Sequence, residues 1–290
     1  MSKQKPLRAV LPALPIDMGG IPVKQALPGR GIDQVDPFLL LHHGRIRVNP
    51  DAAPLHQGVG PHPHRGFSPV SFIIEGEVHH RDSRGNDQIA SQGEVQWMHA
   101  GAGIIHSERP SNTLVQQGGT QEVVQLWINT PATQKMNQPD YQHVPVAEIP
   151  TFKSADGIFS NKLIAGHYLE LEGNIQTQSD LLIIWSESPS ASTQQLAIPD
   201  GFSVMIYTLK GSVSINESES VGPENLMVIA EGTEVLSIDS EGKSEFLLLA
   251  GSPLEEKVVQ HGPFVMNSTT EILEAMRDYQ MGKMGILIEE

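Results

Sequence analysis

The chain is organised around two short runs, His62-Pro63-His64-Arg65-Gly66 and Gly103-Ile104-Ile105-His106-Ser107-Glu108. Each run places two side chains that can bind a metal at positions i and i+2. Because successive side chains of an extended strand point to opposite faces, residues i and i+2 share a face. If the two strands are neighbours, three imidazoles and one carboxylate converge on one point. Such a set of nitrogen and oxygen donors suits a divalent first-row metal, and iron is favoured where coordination positions stay open.

The spacing between the two runs is compatible with this site but does not require it. His64 and His106 are separated by 42 positions, which is room for two hairpins that bring the second strand back beside the first. The alternative is a set of separate core or surface histidines. On the residues alone, both interpretations stay open.

Longer stretches around the two runs resemble the pirin family of the cupin superfamily. The resemblance rests on four segments: DPFLLLHHG from Asp36, PHPHRGFSPVSFIIEGEVHHRDSRGN from Pro61, GEVQWMHAGAGIIHSERP from Gly93 and HGPFVMNSTTEILEAMRDYQMGKMGIL from His261. It touches most of the chain, and the two central segments are specific. The resemblance implies an all-β fold of two tandem cupin (jelly-roll-like) β-barrels, with iron in the N-terminal barrel.

The family's metal ligands carry over onto four positions, His62, His64, His106 and Glu108. In cupin dioxygenases similar to this chain, the ligand carboxylate also deprotonates a flavonol, and this implies a catalytic role for Glu108 as a base. Two positions depart from the family pattern. Ser68-Pro69 stands where Glu-Thr is usual, which leaves the ligands intact, and His99 stands where a small Thr is usual, which adds an imidazole near the site.

Composition indicates a soluble globular protein rich in turns. Among the 290 residues, 39% are hydrophobic and 18% are charged, and 27 glycines and 21 prolines favour strands and turns over helices. No apolar run approaches the ~20 residues that a membrane span needs. The start of the chain makes a poor secretory signal, and cysteine is absent, so that a cytoplasmic location is expected.

Charge divides the chain into two different halves. Residues 1–145 carry 12 Lys/Arg and 12 Asp/Glu together with 10 of the 12 histidines, whereas residues 146–290 carry 7 Lys/Arg and 22 Asp/Glu. The metal chemistry is therefore expected in the neutral half. An acidic surface repels phosphate backbones, which argues against direct nucleic-acid binding and leaves a basic partner protein as an option.

The pattern of strands predicts two domains. Residues 1–135 are expected to form the metal-binding cupin barrel with an N-terminal arm, and residues 136–290 a second barrel that ends in a short helix. The polar, proline-punctuated segment 130–149 is interpreted as the linker. No histidine lies between His167 and His261, so the second barrel should hold no metal. Ser268-Thr269-Thr270-Glu271 fits a capping box at the start of the C-terminal helix.

Three hypotheses about function remain. The first is a dioxygenase of the quercetin 2,3-dioxygenase type, in which a metal, with Fe preferred over Mn, Ni, Cu or Zn, binds a small polyphenol or enediol that dioxygen attacks. The alternative is a non-catalytic iron protein that binds a partner protein in response to its redox state. The third is a metal-free scaffold. The first two share the pirin resemblance, and metal analysis separates them from the third.

Overall fold

The computed structural model of the protein describes residues 7–289 and divides the chain into two compact units. Unit 1 contains the described residues up to Leu14, Gln25–Leu39 and Ala147–Leu254, and unit 2 contains Pro15–Lys24, Leu40–Val146 and the described residues from Glu255 onward. The last stretch, with the C-terminal helix, thus groups with the residues that carry the two histidine runs. The predicted division of the chain into two barrels at residue 135 stays a prediction.

Strands dominate both units, as predicted. In chain order the strands among residues 7–289 are β1 (Leu7–Pro12), β2 (Leu14–Asp17), β3 (Pro22–Leu27), β4 (Phe38–Val48), β5 (Val59–His64), β6 (Phe67–Glu75), β7 (Glu77–Asp82), β8 (Asp87–Ser91), β9 (Val95–His99), β10 (Ile104–Arg109), β11 (Gly119–Asn129), β12 (Asp140–Val144), β13 (Thr151–Lys153), β14 (Ser160–Ala165), β15 (His167–Tyr168), β16 (Leu171–Glu172), β17 (Leu181–Ser188), β18 (Ser192–Ala197), β19 (Ser203–Lys210), β20 (Val213–Ile215), β21 (Asn225–Ile229), β22 (Val235–Ser240), β23 (Ser244–Gly251), β24 (Val259–His261) and β25 (Phe264–Met266). The helices are α1 (Asn112–Gln117) and α2 (Thr269–Gln280), and 3₁₀ turns lie at Pro54–His56 and Val146–Glu148. None of the described helices is both long and apolar enough to cross a membrane.

Unit 1 is built from two antiparallel sheets that share one apolar core. The larger has the order β1-β21-β19-β23-β17-β14-β13, and the smaller has the order β18-β22-β20. Buried side chains from both sheets form a single cluster, as expected when the inner faces of a jelly-roll pack together. Strand β18 was not predicted, because its sequence STQQLA is largely polar. Its Gln194 is nevertheless buried and accepts a hydrogen bond from Asn161 at 2.9 Å.

Unit 2 repeats the two-sheet plan around the histidine runs. Its sheets have the orders β12-β9-β6-β11-β4-β3-β2 and β5-β10-β7-β8. Strand β12 corrects the interpretation of residues 130–149 as a linker, because Asp140–Val144 pairs along its whole length with Val95–His99. The polar sequence concealed this strand, since an edge strand needs a backbone partner on one side and only a few buried side chains.

The C-terminal helix packs inside unit 2. As predicted, Ser268 caps α2 by accepting a hydrogen bond from the Glu271 backbone N–H, and the Glu271 carboxylate accepts one from the Asn267 N–H at 3.1 Å. Ile272 and Ala275 are buried against Ile105, Phe264, Met266 and Met284. The helix therefore packs against the strand that carries His106.

Two buried cations lie near the start of β6, and one of them, Lys135, fixes strand β25 there. Lys135 donates from Nζ to the carbonyl oxygens of Gly66 (2.6 Å) and Val265 (3.2 Å), and burial lowers its pKa to about 8. Arg65 donates from Nε to the Ala102 carbonyl and from Nη2 to Asp278, on α2. Gly66 itself has φ +85°, and a Cβ there would lie 2.0 Å from the Val265 oxygen, so only glycine fits.

Candidate metal centre

The three predicted histidines lie on two adjacent strands. In the antiparallel pair β5–β10, His62 is directly opposite His106 and His64 is opposite Ile104. One ligand nitrogen from each of His62, His64 and His106 lies within 4.8 Å of the others. Their ring centroids are 4.3–4.9 Å apart. The expectation that the two runs are neighbours and bring three imidazoles together is thus met by the geometry.

Hydrogen bonds from Nδ1 of His62 and His64 leave the Nε2 atom of each ring available to bind a metal. His62 donates from Nδ1 to the Gly60 carbonyl at 2.8 Å, and His64 donates from Nδ1 to the Pro263 carbonyl at 3.4 Å. Each Nε2 therefore carries a lone pair, and the two Nε2 atoms are 3.0 Å apart. Two ligands at right angles on a metal with bonds of ~2.1 Å have that separation.

His106 supplies the third nitrogen. Its Nε2 is buried and has no hydrogen-bond partner among the described residues. A buried polar atom without a partner is costly unless an ion or another group satisfies it. The donor set therefore fits a divalent metal, which His62, His64 and His106 would hold.

Electrostatics keep this cluster uncharged. Burial is the main cause that lowers the pKa of each of the three imidazoles, and the neighbouring rings lower those of His64 and His106 further. Neutral imidazole is the form that binds a metal, because the ligand nitrogen must be deprotonated. Proton competition at neutral pH is therefore weak at this site.

Glu108 lies beside the cluster but is held by other groups. Its Oε1 accepts a hydrogen bond from Ser71 Oγ and its Oε2 accepts one from Gln125 Nε2, both at 2.8 Å. Gln125 is in turn oriented by Trp127, whose Nε1 donates to Gln125 Oε1 at 3.1 Å. The β5–β10 pairing shifts between His106 and Glu108. Glu108 lines the same pocket as His62 and His64, and its role as a fourth ligand stays a prediction.

A histidine–aspartate pair, His80 and Asp82, supports the cluster through His106, and sequence reasoning missed it. His80 donates from Nε2 to Asp82 Oδ2 at 3.1 Å, which leaves its Nδ1 to accept from His106 Nδ1 at 3.5 Å. Both residues are buried, and His80 stacks on Tyr141 with ring centroids 4.1 Å apart. His80 and Asp82 have the same i, i+2 spacing on β7 as the ligands have on theirs, and this was the available signal.

We predict that His80→Phe weakens metal binding without unfolding the protein. Phenylalanine retains the stacking on Tyr141 but removes the acceptor that orients His106, and losing such a supporting contact lowers metal affinity ~10–100-fold. Competition with a chelator measures the affinity, and thermal unfolding of the metal-free protein checks the fold. An unchanged affinity in a folded variant would contradict the assignment.

The cluster opens onto an apolar pocket of about 320 Å³, within the size range of small-molecule sites. Two strands form its walls with alternate residues, as the period of a strand requires. Strand β4 contributes His42, Gly44 and Ile46, and strand β11 contributes Gln121, Val123, Gln125 and Trp127. The remaining lining residues are Met18, Ile21, Val23, Gly58, Val59, His62, His64, Val78, Glu108 and Pro263.

Several other predicted positions have different surroundings from those expected. From the sequence, His42 and His43 follow the apolar run 38–41 and are predicted to be polar loop residues. This prediction is wrong, because both lie in β4. His42 lines the pocket, and burial lowers its pKa to about 4, whereas His43 is buried on the other face, 2.9 Å from Glu122. His99 is buried near Ser68, with His99 Nδ1 3.4 Å from Ser68 Oγ, and is not in the metal group.

The aromatic wall of the pocket also differs from the one considered from the sequence. From the sequence, Phe67, Phe72 and Trp97 could line an aromatic-binding pocket, but packing in the barrel core is the favoured prediction. All three are fully buried, as core packing predicts. Trp127 takes the place at the site, with its ring 5.3 Å from that of His64 and 4.2 Å from that of Phe67. The sequence VVQLWIN does not show that Trp127 faces the pocket. The face on which a strand residue lies depends on the register of its pairing with the neighbouring strand.

Comparisons with known proteins cover both halves of the chain. The family model described as Pirin matches residues 20–128, and the one described as Pirin C-terminal cupin domain matches residues 186–285. Pirin from Rattus norvegicus is 35% identical over 92% of this chain and 88% of its own length. Pirin from Homo sapiens is 34% identical over 92% of this chain and 89% of its own length.

Solved structures share the fold. A crystal structure of quercetin 2,3-dioxygenase from Acinetobacter baumannii superimposes with a TM-score of 0.90 at 33% identity, and the match covers 97% of this chain and 99% of that one. A bacterial pirin from Escherichia coli, in complex with nickel(II), has a TM-score of 0.68 over 84% of this chain and 99% of its own. At 20% identity, that second likeness concerns the fold alone.

Proposed function

The chain belongs to the pirin family of the cupin superfamily, and on this premise we propose that it is a metal-dependent dioxygenase of the quercetin 2,3-dioxygenase type. Its substrate is a flavonol or a related enediol, and its metal is iron. The observation that carries this proposal is a cluster of three neutral imidazoles, two of which, His62 and His64, line an apolar pocket. The name of the relative from Acinetobacter baumannii supports the same reaction class.

The residues of the site bind the metal and transfer the proton. His62, His64 and His106 hold the metal with Glu108 as the fourth ligand. When bound, the metal supplies Lewis-acid polarisation and open coordination positions for oxygen ligands. Glu108 takes the proton of the substrate hydroxyl, because its carboxylate borders the pocket and accepts hydrogen bonds from Ser71 and Gln125 that fix its direction.

The apolar walls serve the same reaction by excluding water. Val23, Ile46, Val78 and Val123 face the pocket, together with the indole of Trp127. A dry site strengthens the interaction between the carboxylate and a substrate hydroxyl, and it favours a flat aromatic ligand over a hydrated one. The pocket thus supports binding and proton transfer in one place.

Oxygen consumption tests the proposal. We expect protein loaded anaerobically with Fe(II) to take up dioxygen when quercetin is added, and the metal-free protein to take up none. Elemental analysis of protein purified without added metal identifies the resident ion. A preparation that binds metal at one equivalent but consumes no oxygen with quercetin or other flavonols would contradict the proposal.

A second candidate function uses the metal without turnover. The excess of acidic residues in positions 146–290 favours a basic partner protein, whose binding would respond to the oxidation state of the iron. Affinity capture with the Fe(II) and the Fe(III) protein distinguishes this candidate from the enzyme. An identical set of partners in both states would count against it.

A further inference from the structure

Gly44 occupies a position in the pocket where neither backbone nor packing calls for glycine. It lies inside the 11-residue strand β4, where glycine is normally unfavourable. Its φ is not in the left-handed region, and a Cβ would meet only Val23 Cγ1 at 3.5 Å and the Val123 carbonyl oxygen at 4.0 Å. Both are ordinary contacts, so the sterics of the protein would accept a side chain. What glycine provides is open space in the pocket.

The position of Gly44 relative to the metal group follows from β11. Gly44 adjoins Val123, and along the same face of β11 come Gln125, which binds Glu108, and Trp127, which contacts His64. Val123 is two residues from Gln125, or about 7 Å along an extended strand. A ligand anchored beside Glu108 therefore reaches Gly44 only if it extends past a single ring.

The charges of the lining restrict the ligand further. Of the residues that line the pocket, Glu108 is an acid and none is Lys or Arg. A phosphate, sulfate or carboxylate group on the part of the ligand that lies beyond the metal would therefore lack a counter-charge. The polar contacts of that part would be neutral: burial keeps His42 uncharged at pH 7, and Gln121 offers an amide.

We propose that Gly44 sets the size of the ligand and that the pocket takes a planar molecule of more than one ring, whose uncharged distal ring lies over the Gly44 backbone. The inference rests on the proposed function, since it takes this pocket as the substrate site. Beyond that function, the inference identifies Gly44 as the residue that selects multi-ring over single-ring ligands. It also adds that the distal ring carries no anionic group.

Binding measurements with two probes test this inference. Equilibrium dialysis without oxygen compares quercetin with catechol, a single ring that carries vicinal hydroxyls, on metal-loaded protein. For Gly44→Val we expect the affinity for quercetin to fall ~10-fold, because the two added methyl groups would occupy the space of the distal ring. The affinity for catechol should stay within about twofold. Gly44→Ala, whose Cβ makes only ordinary contacts, should give a smaller loss of the same selectivity.

Matched controls separate the pocket from the fold. Gly242→Val adds the same volume to a loop of unit 1, where a Cβ meets nothing within 4 Å, and should change neither affinity. Metal stoichiometry and thermal unfolding verify each variant, and if Gly44→Val does not fold, Gly44→Ala decides. Equal losses for both probes, unchanged quercetin binding, or no binding of quercetin by the unmodified protein would overturn the inference.

The outcome is distinguishable from a failure of the proposed function. Protein that binds quercetin selectively but consumes no oxygen refutes the dioxygenase and leaves the role of Gly44 in place. Protein that turns over quercetin with an affinity insensitive to Gly44→Val refutes only the size selection.

Discussion

His106→Ala removes tight metal binding from the protein: we expect the affinity to fall by more than ~100-fold, beyond the ~10–100-fold that loss of a supporting contact costs. The reason is that His106 Nε2 is buried, without a hydrogen-bond partner among the described residues, and within reach of the other two imidazoles. Two histidines and a carboxylate cannot replace its bond. Elemental analysis after dialysis and chelator competition measure the loss.

Metal-dependent stability gives an independent measure. A ligand present at 100 times its Kd stabilises the folded state by about 2.7 kcal/mol, so a chelator should lower the Tm of the unmodified protein and leave that of His106→Ala unchanged. His56→Ala is the matched control, because His56 is exposed in the 3₁₀ turn and outside the cluster. One tightly held metal per chain in His106→Ala would refute the assignment.

The second large effect concerns Glu108. We expect Glu108→Gln to reduce the rate of oxygen consumption ~10²–10⁴-fold, the usual contribution of a positioned base. Glutamine keeps the size of the side chain and a carbonyl oxygen for Gln125, so quercetin should still bind with similar affinity. Steady-state oxygen electrode assays and anaerobic binding separate kcat from binding.

Glu94→Gln is the control for this substitution, since Glu94 pairs with His143 at 2.8 Å in the same unit and does not line the pocket. It should retain full turnover. If Glu108→Gln turned over quercetin at close to the normal rate with the metal bound, Glu108 would be neither the base nor an essential ligand. If it lost the metal instead, its role as ligand would outweigh its role as base.

The histidine cluster was predictable from local geometry and one assumption about strand pairing. The i, i+2 spacing fixes a shared face in any strand, and the pairing of β5 with β10 needed only the assumption that the two runs are neighbours. The helix was predictable for a similar reason, since its cap lies within four residues. Residues His80 and Asp82 obey the same spacing but support another ligand, and only the pairing of β7 with β10 shows this.

The pocket could not be predicted in the same way. Its walls come from alternate residues of β4 and β11, and a shift of register by one residue would replace His42, Gly44 and Ile46 with the opposite face. Buried His42 and His43 resembled polar loop residues because composition carries no information about register. Residues 130–149 show the same limit, since their polar sequence conceals the backbone pairing of β12.

The Pro263 carbonyl that orients His64 has a consequence for biosynthesis. It lies 199 positions further along the chain, and the helix residue Asp278 that pairs with Arg65 lies 213 positions beyond that arginine. A ribosome that adds roughly 5–20 residues per second delivers it about 10–40 s after His64. The site with an oriented His64 is therefore complete only after that late segment has been synthesised.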